Sequence, residues 1–133
     1  MIESPTSEAL ILEGIRREQG VFRLGATLSG LISWFDAYNR SYPSAAELQN
    51  AIAPLEAAEY VRPWFGRIRL TKKFYRKHRE ISRTHTDSSA FERCQVILDA
   101  IEQVNQKGGN SSLNKIVSSG RWKKALSNYT ASR

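Results

Sequence analysis

A single cysteine, Cys94, in 133 residues excludes an internal disulfide and any zinc cage built on cysteine. The two histidines, His78 and His85, have no cysteine or acid at metal-ligand spacing, whereas a zinc site needs three or four ligands in fixed geometry. No apolar run approaches the roughly 18–20 residues of a membrane span. The opening Met1-Ile2-Glu3-Ser4-Pro5 has no basic flank ahead of an apolar stretch, so no secretory leader is expected. A glycine-rich phosphate loop is missing, because Gly108-Gly109 follows a helical pattern and not a strand. So is a Gly-x-Ser-x-Gly nucleophile elbow. No two carboxylates are placed for acid/base work. Cys94 falls on the apolar stripe of its own segment, where a free cysteine is expected as a small buried hydrophobe. These absences lead to the expectation of a cytoplasmic protein that is not an enzyme and holds no metal or cofactor.

What is present suits a folded domain. Apolar residues make up 41% and charged residues 25%, which excludes a disordered tail, a collagen and a coiled-coil rod. The length allows one domain with a real core.

The charge is unevenly spread. Residues 1–61 carry four Lys/Arg against eight Asp/Glu, and residues 62–83 carry nine against one acid, Glu80. The second stretch therefore outweighs the net charge of the chain, +7. Such a block attracts polyanions and speeds their encounter. Its bland alternative is a solvated basic helix with no partner.

Periodicity and caps divide the chain. Ser4 and Pro5 predict the start of a first helix, with Leu10, Ile11, Leu12 and Ile15 apolar, and Gly20 its stop. Val21 to Leu24 reads as a brief extended connection. Leu28, Leu31, Ile32, Phe35 and Tyr38 share one face of a second helix over about 27–39, with Trp34 off that stripe. Pro43 ends that geometry, and Ser44 with Glu47 forms a capping box for a third helix. Its stripe is Leu48, Ala51, Ile52, Leu55 and Ala58, and Pro54 should bend or split it. Residues 60–71 read as a hairpin whose turn holds Pro63 and Gly66, with Pro63 confining the first strand to an edge. Thr71 caps a fourth helix, with Phe74, Tyr75, His78 and Ile81 inward and Lys72, Lys73, Arg76, Lys77, Arg79 and Arg83 outward. Ser89 and Glu92 box a fifth helix to about Gln106, with Cys94, Ile97, Leu98, Ile101 and Val104 apolar. Beyond Asn110 the pattern weakens to Leu113, Ile116 and Val117, then Trp122, Leu126 and Tyr129. One or two short helices, or a partly mobile tail, are expected there.

The order helix, extended segment, helix, helix, hairpin resembles a winged helix-turn-helix. The resemblance runs through Gly25-Ala26-Thr27-Leu28, Pro43-Ser44, Glu47-Leu48, Leu55, Ala58-Glu59-Tyr60-Val61 and Arg67-Ile68-Arg69-Leu70-Thr71. It is similar to small prokaryotic winged-helix proteins and covers residues 8–71. Two departures are visible: Glu59 stands where such proteins usually have glycine, and Lys72-Lys73-Phe74 continues as helix after Leu-Thr. The expected architecture is mainly α with a small β-hairpin. A winged helix-turn-helix core, 1–71, would carry a helical extension, 72–107, and short helices or a basic tail, 108–133, in one compact unit.

The resemblance implies nucleic-acid binding in a regulatory or accessory role, with DNA favoured. The third helix has no Lys or Arg but carries Glu47, Glu56 and Glu59, which disfavours it against phosphates. Only Gln49 and Asn50 are candidates there for base contacts, against the favoured alternative that both are plain surface residues. Arg62, Arg67, Arg69, Lys72, Lys73, Arg76, Lys77 and Arg79 are the candidate phosphate ligands. Trp64 and Phe65, among those arginines, are candidates for stacking on bases; the alternative is that Trp64 packs across the hairpin. The rival to nucleic acid is a winged-helix protein-interaction module without direct DNA reading. The charge map separates them: one open basic face favours nucleic acid, and a face covered by the fifth helix or edged by acids favours protein. The fifth helix either completes the core or pairs with its copy in a homodimer through residues 89–106.

Overall fold

The computed structural model describes residues 7–39, 42–104 and 116–131. It is mainly helical with one two-stranded hairpin. The elements are α1 (Ser7–Arg17), α2 (Leu28–Asn39), α3 (Ala45–Ala57), β1 (Val61–Trp64), β2 (Arg67–Leu70), α4 (Lys72–Thr84), α5 (Ala90–Val104) and α6 (Ser119–Ala131). Ser4, Pro5, Gln106 and Leu113 lie outside the described residues.

α1 is the central element. It buries Ile11, Leu12 and Ile15 and lies against α2, α3, α5 and β2. α2 adds Leu31, Ile32 and Phe35, as its periodicity predicts, while Tyr38 at the end of that stripe is exposed. Trp34, off the stripe, packs on α1 and donates its indole N–H to the Leu10 carbonyl at 3.2 Å. Its ring also meets those of Tyr38 and Phe91, which joins α2 to α5.

α3 begins with the expected reciprocal box. The Glu47 N–H donates to Ser44 Oγ at 3.1 Å, and the Ser44 N–H donates to the Glu47 carboxylate at 3.3 Å. Leu48, Ala51, Ile52 and Leu55 are buried. Pro54 does not split the helix, which continues to Ala57. The carbonyl that its missing N–H would have used belongs to Asn50, which is exposed, so water can serve that group. α3 ends in a Schellman turn: the Tyr60 N–H donates to the Leu55 carbonyl and the Glu59 N–H to that of Glu56. This places Glu59 in the left-handed region at φ 64°, a conformation usually given to glycine.

The hairpin pairs Val61 with Leu70, Arg62 with Arg69, Pro63 with Ile68 and Trp64 with Arg67. Both residues of its two-residue loop, Phe65 and Gly66, have positive φ, the geometry of a type I′ turn. Val61, Ile68 and Leu70 face the core. Ile68 spends its N–H and C=O on Ala26, at 2.9 and 2.8 Å, on the side away from β1. Pro63, its partner across the ladder, therefore needs no donor toward β2, and β1 is an edge.

Residues 21–24 are not extended, as the sequence suggested. They form a turn, with Gly20 and Arg23 at positive φ, and the extended pairing is confined to Ala26. Gly25 makes this approach work: its φ is 122°, and a Cβ there would lie 2.8 Å from that of Arg67. Gln19, buried, fastens the arrangement. Its amide donates to the Ile15 and Ile68 carbonyls and accepts from the Leu70 N–H.

Thr71 caps α4 as predicted, accepting from the Phe74 N–H, and Phe74 and Ile81 are buried. α5 places Cys94, Ile97, Leu98 and Ile101 in the core against α1 and α4. The described part of its apolar stripe thus packs within the chain, the first of the two expected uses. Its box is half made, with the Glu92 N–H donating to Ser89 Oγ. In the described part of the weak C-terminal pattern, residues 119–131 form α6, docked on α2 and α3 by buried Trp122, whose indole donates to the Pro43 carbonyl at 2.9 Å. Among the described residues no helix is long and apolar enough to cross a membrane.

Candidate nucleic-acid interface

Strand register decides which hairpin side chains share a face. Val61, Ile68 and Leu70 take the core side, with exposed Pro63 at the edge, so Arg62, Trp64, Arg67 and Arg69 take the outer one. Cross-strand neighbours Arg62 and Arg69 are like charges placed side by side, which costs stability unless an anion lies over them.

That outer face forms one wall of a groove of about 600 Å³. Arg62 and Arg69 line it from the hairpin, Lys72 and Lys73 from the first turn of α4, and Arg23 with Phe22 from the turn after α1. Four of the eight expected phosphate ligands are therefore brought together, with a fifth cation, Arg23, that the sequence reading missed. Tyr75 forms part of the wall under the Arg23 guanidinium, 4.0 Å from its ring centre. Burial pushes the Tyr75 hydroxyl above its ordinary range, so it stays a neutral donor.

The cations differ in how much charge they offer. Lys73 donates to the Ala58 carbonyl at 2.8 Å and sits 3.9 Å from the Glu59 carboxylate, so part of its charge is spent within the fold. Glu59 also lines the groove, its one acid. Arg62 and Lys72 make no ion pair among the described residues. Lys72, Arg76, Arg79 and Arg83 then follow one another down one side of α4, all exposed, over about 16 Å. Lys77 is set apart beside Glu80, at 3.9 Å. Arg67 stands nearer the hairpin tip, half-buried, with its guanidinium 3.5 Å from the Gly25 carbonyl.

The two aromatics of the turn part ways. Trp64 is half-buried under Arg69, whose guanidinium lies 4.9 Å from its ring, while Phe65 meets Trp64 edge-on and is exposed. Packing across the hairpin thus accounts for Trp64 and not for Phe65.

The candidate base-reading residues lie elsewhere. Gln49 is half-buried and donates its amide to the Val117 carbonyl, so it anchors the segment before α6. It is not free to read a base, which corrects its assignment. Asn50 remains exposed on a face of α3 with Glu47 and no cation. Burial, with Glu13 adding, pushes the Cys94 thiol up to about 12, which keeps it protonated and unreactive. Burial and nearby Arg16 and Arg93 lower the pKa of His78.

No family model, curated protein or solved structure matches the chain.

Proposed function

We propose that the protein binds nucleic acid, DNA foremost, through phosphate contacts, in a regulatory or accessory role in the cytoplasm. The observation that carries this reading is the groove in which Arg62, Arg69, Lys72 and Arg23 converge from three separate segments. Such convergence does not follow from a charge run alone, because Arg23 is distant in sequence. Phosphates supply the counter-charge that these cations lack among the described residues. The stripe down α4 extends the same surface beyond the groove.

Topology supports the winged helix-turn-helix reading of residues 8–71. α1, a bridging residue, α2, α3 and a hairpin follow in the required order, and Ala26 adds a third, one-residue strand to β2. In that frame the hairpin is the wing and α3 stands in the recognition position. Its lack of cations, and the docking of residues 116–122 on it, support a mode in which the wing and α4 contact the backbone and α3 reads little or nothing.

Fluorescence anisotropy of a labelled generic duplex across a salt series tests the proposal. The expected result is micromolar or tighter binding at low salt, with a steep linear fall of log K against log salt. Absence of binding at low salt would overturn it. The rival, a protein-interaction module, draws on Glu47 and Glu59, which suit a basic partner better than DNA. It would then be pursued by capture of protein partners.

A further inference from the structure

We infer that the preferred ligand of this surface is single-stranded nucleic acid, whose unpaired bases stack on Phe22 and Phe65 while its phosphates occupy the cationic groove between them. This rests on the nucleic-acid reading above and narrows it.

Two aromatic rings stand in water at the two ends of the basic surface. Phe22 is 80% exposed and lines the groove, with Val21 beside it 93% exposed. Phe65, 84% exposed, caps the hairpin. Phe65 meets Trp64 at 4.6 Å and Trp64 lies 4.9 Å from the Arg69 guanidinium, while Arg69 shares the groove with Phe22 and with Arg23, which covers Tyr75. Rings and cations thus lie together on this surface. A surface of that kind fits a strand offering both charge and unstacked bases. An intact duplex offers the phosphates but hides its π faces in the stack, and would leave both phenylalanines idle.

Backbone conformation adds a second argument. Phe65 sits at φ 48° in the first loop position of a type I′ turn, where Asn or Gly is the cheap choice. A bulky side chain is rare in that region. Phe65 is thus unfavourable twice, by conformation and by exposure, and its ring contact among the described residues is with half-buried Trp64. Arg23, at φ 54°, repeats the pattern at the other end of the surface. Strain of this kind gathers at binding sites.

The test compares four labelled or vesicle probes by anisotropy or sedimentation. They are an oligothymidine of about 15 nucleotides, a duplex of equal length, an abasic strand of equal length, and vesicles rich in phosphatidylserine. The oligothymidine should bind about tenfold or more tightly than the abasic strand and the duplex. Phe22→Ala and Phe65→Asn should each weaken oligothymidine binding about tenfold and leave abasic-strand binding and its salt slope unchanged. Asparagine tolerates the left-handed conformation, so Phe65→Asn should melt at or above the temperature of the native chain, which separates lost stacking from lost folding. Equal binding of base-bearing and abasic strands, or a preference for duplex, would overturn this inference and leave the broader function standing. Vesicle binding that is tighter than strand binding, and that Phe22→Ala abolishes, would overturn it in favour of a lipid surface. Failure of every probe at low salt would remove the nucleic-acid reading itself.

Discussion

α3 and the hairpin with α4 adjoin each other yet use their surfaces in opposite ways. α3 turns Leu48, Ile52 and Leu55 to the core, gives Gln49 to residue 117, and shows solvent Glu47, Asn50 and small residues. The hairpin and α4 turn only Val61, Ile68, Leu70, Phe74 and Ile81 inward and crowd cations on the outside. One region has converted its side chains into packing, and the other holds like charges together at a cost in stability. Unfavourable charge crowding that the fold does not relieve marks where a ligand is to be sought. Topology alone would have pointed to α3.

Several changes would sharpen or break this contrast. The largest effect is expected from Trp122→Ala, which removes the indole holding α6 on α3. It should cost about 3–5 kcal/mol in urea unfolding. Where the variant stays folded, exposing α3 should leave DNA affinity unchanged; a gain would show that α3 is a masked reading surface. Next, Arg69→Glu with Lys72→Glu should lower affinity roughly 100-fold near 0.1 M salt by anisotropy. Glu47→Gln with Asn50→Ala should change it less than about twofold. Equal losses from the two pairs would erase the distinction between the regions.

Smaller effects lie where the regions meet. Glu59→Gly relieves a left-handed glutamate and removes the acid of the groove. It should raise unfolding free energy by about 1 kcal/mol and tighten binding at low salt. The smallest concerns acid stability. Burial lowers the pKa of His78 below its ordinary 6.5, so the unfolded chain takes up the proton first. His78 therefore contributes its full stability above pH 6.5, and that contribution is lost as pH falls from there through the folded pKa. The thermal midpoint should fall between pH 7 and 5.5 more steeply in the native chain than in His78→Gln. Matching slopes would mean that His78 is not responsible.

Much of the scaffold was legible because its signals are local. The Ser44–Glu47 box, the Thr71 cap, the stripe of α2 and the hairpin over residues 60–71 each depend on residues a few positions apart, although Pro63, expected in the turn, lies in β1. The hidden parts depend on distant partners. Gln19 looks like any surface glutamine until Ile68 and Leu70 reach it, 49 and 51 residues away. Residues 21–24 carry β-prone side chains, but Gly20 and Gly25 bend the chain and the pairing falls to Ala26. For the same reason Arg23 and Phe22 could not be placed at the groove from the sequence, whereas Arg62, Arg69, Lys72 and Lys73 were named from one local run of cations. Gln49 misled because an amide on a helix surface gives no sign of a carbonyl 68 residues on that will occupy it. The stripe of α5 left dimer and core both open, and its packing on α1 and α4 depends on partners distant in sequence.

On the proposed reading, the cations of the hairpin and α4 make the phosphate contacts. The most direct test is the salt slope of DNA binding in the native chain and in Arg62→Ala with Arg69→Ala. Each lost phosphate contact should shrink the magnitude of the slope by about 1, so the double variant should lose about 2, alike on every sequence. A slope identical to that of the native chain would contradict the account.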